Sequence, residues 1–286
     1  MAIKKVGIIG GGLMGSGIAQ VTAQAGYDVL LNEVNQELLD KGMARVTGAW
    51  DMLTGKGKIT AEQAAGYRGH IRGTLDLAEF ADCDLIIEAI IENLDHKRDL
   101  FAKLEGIAKR DALLASNTSS LPIIEMAAVT TRQDRVIGLH FFNPVPLMKL
   151  VEVIRSIATS DQTIEELRQF AISVGKTPII AKDTAGFVVN FLLIPYMLAA
   201  IRMYENGIAT KEDIDTGMKL GCGYPMGPFE LLDYVGLDTT LYAAEAIYKE
   251  YPDPAYAPPT LLRRMVQAGR YGKKNGKGFY VGADDN

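Results

Sequence analysis

His140 stands apart from the two other histidines of this 286-residue chain because of its neighbours. It closes the apolar run Val136-Ile137-Gly138-Leu139 and is followed by Phe141-Phe142-Asn143-Pro144-Val145-Pro146. The first segment reads as a buried strand, and the proline-rich one as a stiff turn able to hold a ring and close over a ligand. An imidazole at a strand end is either a structural cap or a general base able to accept a hydroxyl proton. Glu152 follows twelve residues later, inside Lys149-Leu150-Val151-Glu152-Val153-Ile154. A carboxylate among aliphatic side chains is costly to bury without a partner. If the turn folds the chain back, Glu152 meets His140, orients its ring and stabilises imidazolium. If it does not, Glu152 is an edge-strand acid facing water, and the sequence leaves both open.

Other polar groups sit in equally apolar settings. Ser116-Asn117-Thr118-Ser119-Ser120 follows the strand-like residues 113–115 and reads both as hydrogen-bonding groups for a ligand and as an N-cap for a helix at Leu121-Pro122. Asn190, within Phe187-Val188-Val189-Asn190-Phe191-Leu192, carries an amide that needs a partner. Glu92 and Lys97 follow the strand at 85–88, either as ligand contacts or as a solvated helix start. The three histidines are scattered and no acids show ligand spacing, so no metal is expected. Ser119 lacks the setting of a nucleophile elbow.

These groups need a scaffold, and the N-terminus supplies its clearest sign. Gly10-Gly11-Gly12-Leu13-Met14-Gly15 lies between a strand at 4–9 and a helix at 16–26. Glycines at the first, third and sixth positions permit a tight turn, close approach of backbone to a pyrophosphate, and close helix–strand packing. The helix N–H groups then face phosphate. A second strand (28–31) leads to Glu33, 18 residues past Gly15, where an acid can bind both hydroxyls of an adenosine ribose. A carboxylate repels a 2′-phosphate and no Arg or Lys follows it directly, which favours NAD over NADP.

Residues 36–67, broken at 54–58, read as two helices leaving the sheet. Strands are expected at 71–74, 85–88, 113–115, 136–139, 149–154 and 178–180, with helices at 95–109 and 162–174. Strands alternating with helices predict an α/β, Rossmann-type doubly wound, mostly parallel sheet. Beyond Asp183 the pattern becomes helical (187–205, 211–220, 229–235, 238–250, 259–268), with one further strand at 278–280. This predicts domains at 1–185 and 186–286, the second all-α. Its apolar helix faces are generous for a small domain and suggest burial against a second subunit.

A formal charge of −5 with interspersed signs argues against a nucleic-acid partner. The longest apolar run (187–201) is interrupted by Asn190 and Pro195 and is short for a membrane span. The N-terminus begins a strand almost at once, without a visible secretory signal. Cys83 and Cys222 are too few for a disulfide framework, which points to a reduced cytoplasm.

The glycine turn, Asn117-Thr118-Ser119-Ser120, Gly138-Leu139-His140-Phe141-Phe142-Asn143-Pro144, Lys149-Leu150-Val151-Glu152, Asp183-Thr184-Ala185-Gly186-Phe187-Val188-Val189-Asn190 and Gly223-Tyr224-Pro225-Met226-Gly227-Pro228 closely resemble the 3-hydroxyacyl-CoA dehydrogenases. The likeness spans essentially the whole chain in order, and is greatest to the short bacterial form acting on 3-hydroxybutyryl-CoA. It implies NAD-dependent oxidation of (S)-3-hydroxyacyl-CoA to 3-oxoacyl-CoA, the reverse reduction of acetoacetyl-CoA, and a place in fatty-acid or butanoate metabolism. By the same resemblance His140 is the catalytic base, paired with Glu152, while Ser119 and Asn190 bind the reacting oxygen. Gly10, Gly12, Gly15 and Glu33 hold the ADP half of NAD, Leu13 and Met14 also bind the cofactor, and Glu92, Lys97, Ser119 and Asn143 hold the nicotinamide half. Lys56 contacts CoA, and the helical domain forms a homodimer. Three positions depart from the family pattern: Glu33 for the commoner Asp, Phe191 for an Arg after the Asn, and Ala49 for a Ser that touches CoA in some relatives. A sugar-acid dehydrogenase of the same build and a non-catalytic NAD-binding protein are the rival expectations.

Overall fold

The computed structural model describes residues 3–282. The chain divides into two compact units, Met1–Asp183 and Thr184–Asn286.

The first unit is an eight-stranded sheet in the order β3-β2-β1-β4-β5-β6-β7-β8. Its strands are β1 (Lys5–Ile9), β2 (Asp28–Asn32), β3 (Ile71–Thr74), β4 (Leu85–Glu88), β5 (Leu113–Ser116), β6 (Val136–Phe141), β7 (Leu150–Arg155) and β8 (Thr177–Lys182). The first six run parallel. β7 turns back antiparallel to β6, and β8 runs parallel to β7. Strands β1, β2, β4, β5 and β6 read as almost unbroken aliphatic runs, and they are buried nearly throughout. Parallel strands covered on both faces need that composition. Helices α1 (Leu13–Gln24), α2 (Gln36–Gly55), α3 (Ala61–Gly69), α4 (Leu94–Ile107), α5 (Ile123–Ala127) and α6 (Asp161–Ser173) complete the unit.

The expected helical excursion is α2 and α3. They are separated by a turn in which Gly57 takes φ +65°, and α3 starts on a Thr60–Gln63 capping box. Trp50, fully buried, ties α2 to the sheet core, its ring 5.9 Å from that of Tyr67. Two boundaries differ from the sequence expectation in ways that matter. α1 begins at Leu13, straight out of the glycine turn with Gly12 as its N-cap. β6 extends to Phe141, so His140 lies within the strand rather than after it.

The second unit is helical: α7 (Val189–Glu205), α8 (Lys211–Cys222), α9 (Pro228–Val235), α10 (Leu237–Glu250) and α11 (Thr260–Gln267). Pro195 is accommodated inside α7. Met197, Leu198, Ile201, Phe229, Leu232, Ala244, Ile247 and Leu262 make the core. The strand expected at 278–280 does not form. Asp233 accepts the N–H groups of Phe279 (2.7 Å) and Tyr280 (2.8 Å), so a side chain of α9 takes the bonds a neighbouring strand would have taken. Among the described residues no helix is long and apolar enough to cross a membrane.

Candidate active site

The glycine turn is built to admit a dinucleotide. Gly10 takes φ +100°, and a Cβ on Gly15 would stand 1.7 Å from the Gly10 carbonyl, so both positions exclude a side chain. A Cβ on Gly12 would meet nothing within 4 Å; the backbone there faces open space at the start of α1, with no side chain capping the helix. That open cradle fits a pyrophosphate on the helix N–H groups. Leu13 is exposed and Met14 half-buried beside it. Glu33, just past β2, accepts from Gly11 N–H (2.7 Å) and Val34 N–H (3.1 Å), which places its carboxylate against the turn. Arg45 of α2 donates to the Gly11 carbonyl (3.0 Å) from the other side. Sequence reasoning missed Arg45, since nothing at that helical position marks it.

At the carboxyl end of β6 the antiparallel register sets His140 directly opposite Glu152. Partners facing each other across such a ladder share one face of the sheet. His140 Nδ1 lies 2.7 Å from Glu152 Oε2, with His140 6 % and Glu152 0 % exposed. Of the two readings of Glu152 open in the sequence, the structure adopts the paired, buried one. The Phe142 ring lies 4.4 Å from the imidazole centroid. Asn117 binds the end of β6 to that of β4, its N–H donating to the Glu88 carbonyl (2.8 Å) and its Oδ1 accepting from Phe141 N–H (2.9 Å).

The turn at 142–149 is fastened from below. Lys176, just before β8, donates to the carbonyls of Val145 and Met148. Burial and the nearby Lys149 hold that amine below the ordinary lysine range. Val145 in turn packs on α1, where a Cβ on Gly17 would stand 2.9 Å away. Asn143 is exposed at the start of this turn.

Ser119, Glu92 and Lys97 come together. Glu92 Oε1 accepts from Ser119 N–H (3.0 Å) and Thr118 Oγ1 (2.5 Å), with Ser119 Oγ at 3.5 Å. Lys97 Nζ stands 3.2 Å from Glu92 Oε2 and donates to Glu88 Oε1 (2.5 Å). The sequence singled out Glu92 and Lys97 beyond this strand but gave Glu88 no role; an acid ending a run as apolar as Leu85-Ile86-Ile87 was the available signal. Lys56 stands apart, exposed at the C-cap of α2. In the second unit, half-buried Asn190 occupies the first turn of α7. Its neighbour Phe191 packs against Tyr251 and Tyr256 with centroids at 5.6 and 5.2 Å.

A glycine cradle and an acid–base pair along the carboxyl edge of one doubly wound sheet are the working parts of a dinucleotide-dependent dehydrogenase. Residues 5–184 match the 3-hydroxyacyl-CoA dehydrogenase NAD binding domain and residues 186–282 the 3-hydroxyacyl-CoA dehydrogenase C-terminal domain, and the chain belongs to that family. It is 48 % identical to a probable 3-hydroxybutyryl-CoA dehydrogenase of Deinococcus radiodurans, over 96 % of this chain and 99 % of that one. The mitochondrial hydroxyacyl-coenzyme A dehydrogenase of Homo sapiens is also 48 % identical, covering 97 % of this chain and 91 % of its own. Among solved structures, the (S)-3-hydroxybutyryl-CoA dehydrogenase of Ralstonia eutropha superposes with a TM-score of 0.95 at 44 % identity, over 98 % of this chain and 99 % of that one.

Proposed function

We propose that this protein interconverts (S)-3-hydroxyacyl-CoA and 3-oxoacyl-CoA with NAD, with 3-hydroxybutyryl-CoA and acetoacetyl-CoA as its substrate pair. The observation that carries the reading is the buried His140–Glu152 pair, 2.7 Å apart, in a chain whose relatives bear these activities in their names. NAD, when bound, supplies the hydride acceptor for the carbon bearing the hydroxyl. Gly10, Gly12, Gly15 and Glu33 are assigned to its ADP half, Leu13 and Met14 to the same cofactor, and Glu92, Lys97, Ser119 and Asn143 to its nicotinamide half.

With Nδ1 directed at Glu152, Nε2 of His140 is the nitrogen that takes the proton of the 3-hydroxyl. Glu152 orients the ring and offsets the charge it gains. Ser119 and Asn190 donate hydrogen bonds to the oxygen as it becomes a carbonyl; in the reverse direction they polarise that carbonyl before His140 returns the proton. Lys56 is assigned to the CoA phosphates, which an ammonium group suits.

Residues 1–185 constitute the NAD-binding domain in this reading, and 186–286 the substrate and dimerisation domain. A homodimer through the helical domain is supported by the exposed apolar residues Leu192 and Met203 on α7. The free, exposed thiol of Cys222 suits a reducing cytoplasm. The decisive assay follows loss of NADH absorbance on adding acetoacetyl-CoA to the purified protein. Turnover with the thioester and not with free acetoacetate is expected; no NADH oxidation with acetoacetyl-CoA overturns the assignment.

A further inference from the structure

Hydrogen bonds close a ring at the carboxyl ends of β4 and β5. Glu88 Oε1 accepts from Lys97 Nζ (2.5 Å), and Lys97 Nζ faces Glu92 Oε2 (3.2 Å). Glu92 Oε1 accepts from Thr118 Oγ1 (2.5 Å), and Thr118 N–H donates to Ser116 Oγ (3.3 Å). Ser116 Oγ donates to Glu88 Oε2 (2.6 Å), which completes the circuit. Glu88 also accepts from Ile90 N–H (2.7 Å), so both its oxygens are engaged. The side chain of Glu88 is 0 % exposed and that of Lys97 1 %.

A buried ion pair is a poor device for stability, because losing water costs about as much as the pairing returns. Placing two carboxylates and one ammonium under the strand ends of a catalytic sheet is therefore better explained by what the ring holds in place. Ser119 hangs on it: the Glu92 oxygen that closes the ring also receives Ser119 N–H (3.0 Å) and lies 3.5 Å from its hydroxyl. Glu92 keeps that orientation while Lys97 holds its other oxygen, and Lys97 is held in turn by Glu88. Were Glu88 neutral, Lys97 would pair with Glu92 alone and draw the carboxylate away from Ser119.

We infer that Glu88 is a positioning residue for the reaction: through Lys97 and Glu92 it fixes the Ser119 hydroxyl where the substrate oxygen is bound. This rests on the substrate-binding role proposed for Ser119. A misplacement of the order of 1 Å at a reacting centre costs about 100-fold in rate. Glu88→Gln, which keeps the shape and removes the charge, is expected to lower kcat/KM for acetoacetyl-CoA by about 10- to 100-fold.

The test measures kcat and KM for acetoacetyl-CoA in Glu88→Gln, Ser119→Ala and the double variant. An effect running through Ser119 vanishes once that hydroxyl is gone, so Glu88→Gln should add less than about threefold in the Ser119→Ala background. A merely structural Glu88 would multiply its effect onto that of Ser119. Ser119→Ala impaired beside a fully active Glu88→Gln, or two effects that multiply, overturns the inference and leaves the Ser119 assignment standing. A fully active Ser119→Ala removes that assignment, and the inference with it. Should Glu88→Gln fail to fold, Ser116→Ala decides: removing one hydroxyl from the ring should lower kcat/KM in the same direction by a smaller factor. Wild-type kcat/KM in that variant contradicts the inference.

Discussion

Glu33 shows how one side chain can set a preference. Its two oxygens are already committed to the N–H groups of Gly11 and Val34, so the carboxylate is fixed against the glycine turn. A 2′-phosphate brought there would meet a fixed negative charge, while ribose hydroxyls would meet an acceptor. Glu33→Ala should weaken NADH and raise the ratio of NADPH to NADH kcat/KM by about tenfold, the size of a lost charge-assisted bond; an unchanged ratio places cofactor choice elsewhere. The spacing of Gly15 and Glu33 made this acid legible in the sequence. Arg45, which holds the carbonyl of the same Gly11 from α2, was not, because its meaning depends on where α2 crosses the turn. Glu152 was half legible: its aliphatic neighbours demanded a partner and the turn offered His140, but only strand register could decide that the two meet. Phe191 found partners that its local sequence did not name, since its ring packs against Tyr251 and Tyr256 from distant parts of the helical unit.

Elements whose apolar pattern carries its own punctuation were readable in advance. The glycine turn, the aliphatic strands and the break between α2 and α3 fall near their expected places. Failures came where long-range bonds decide, as at 278–280, whose N–H groups end on Asp233. Direction was half hidden: the proline-rich turn allowed the chain to fold back, but nothing local fixed that β7 reverses against β6. The start of β4 makes a test at this scale. Asp84 accepts from the N–H groups of Lys4 (2.7 Å) and Lys5 (2.9 Å) and pairs with Lys109, which ties β1 to β4 and to the segment that follows α4. Burial pulls its carboxyl upward, but the Lys109 bond and the two backbone donors outweigh that and hold it below the usual range. A group depressed in the folded state stabilises above its unfolded pKa and stops doing so as pH falls through its folded value. Asp84→Asn should cost about 1–3 kcal/mol at neutral pH, and the gap in Tm should close below about pH 4. A gap unchanged from neutral to acid pH rules out the charge as its source.

The whole molecule pairs a nucleotide-binding sheet with a helical unit that exposes the large apolar side chains Leu192, Ile208 and Leu220. Leu192 is 67 % exposed on the same helix that carries Asn190. Monomers rarely leave such residues grouped in water. Sedimentation should find twice the chain mass, and Leu192→Lys should shift that equilibrium towards monomer; a wild-type monomer at micromolar concentration refutes the dimer. Turnover belongs to this scale as well, because it needs cofactor, thioester and base together, and the account stands on the base. The most direct measurement is acetoacetyl-CoA reduction by His140→Gln, with NADH affinity determined on the same preparation by fluorescence titration. With His140 as the base, NADH binding should stay close to wild type while kcat falls by about 10²- to 10⁴-fold. A variant that keeps more than about a tenth of the wild-type rate would take His140 out of the mechanism.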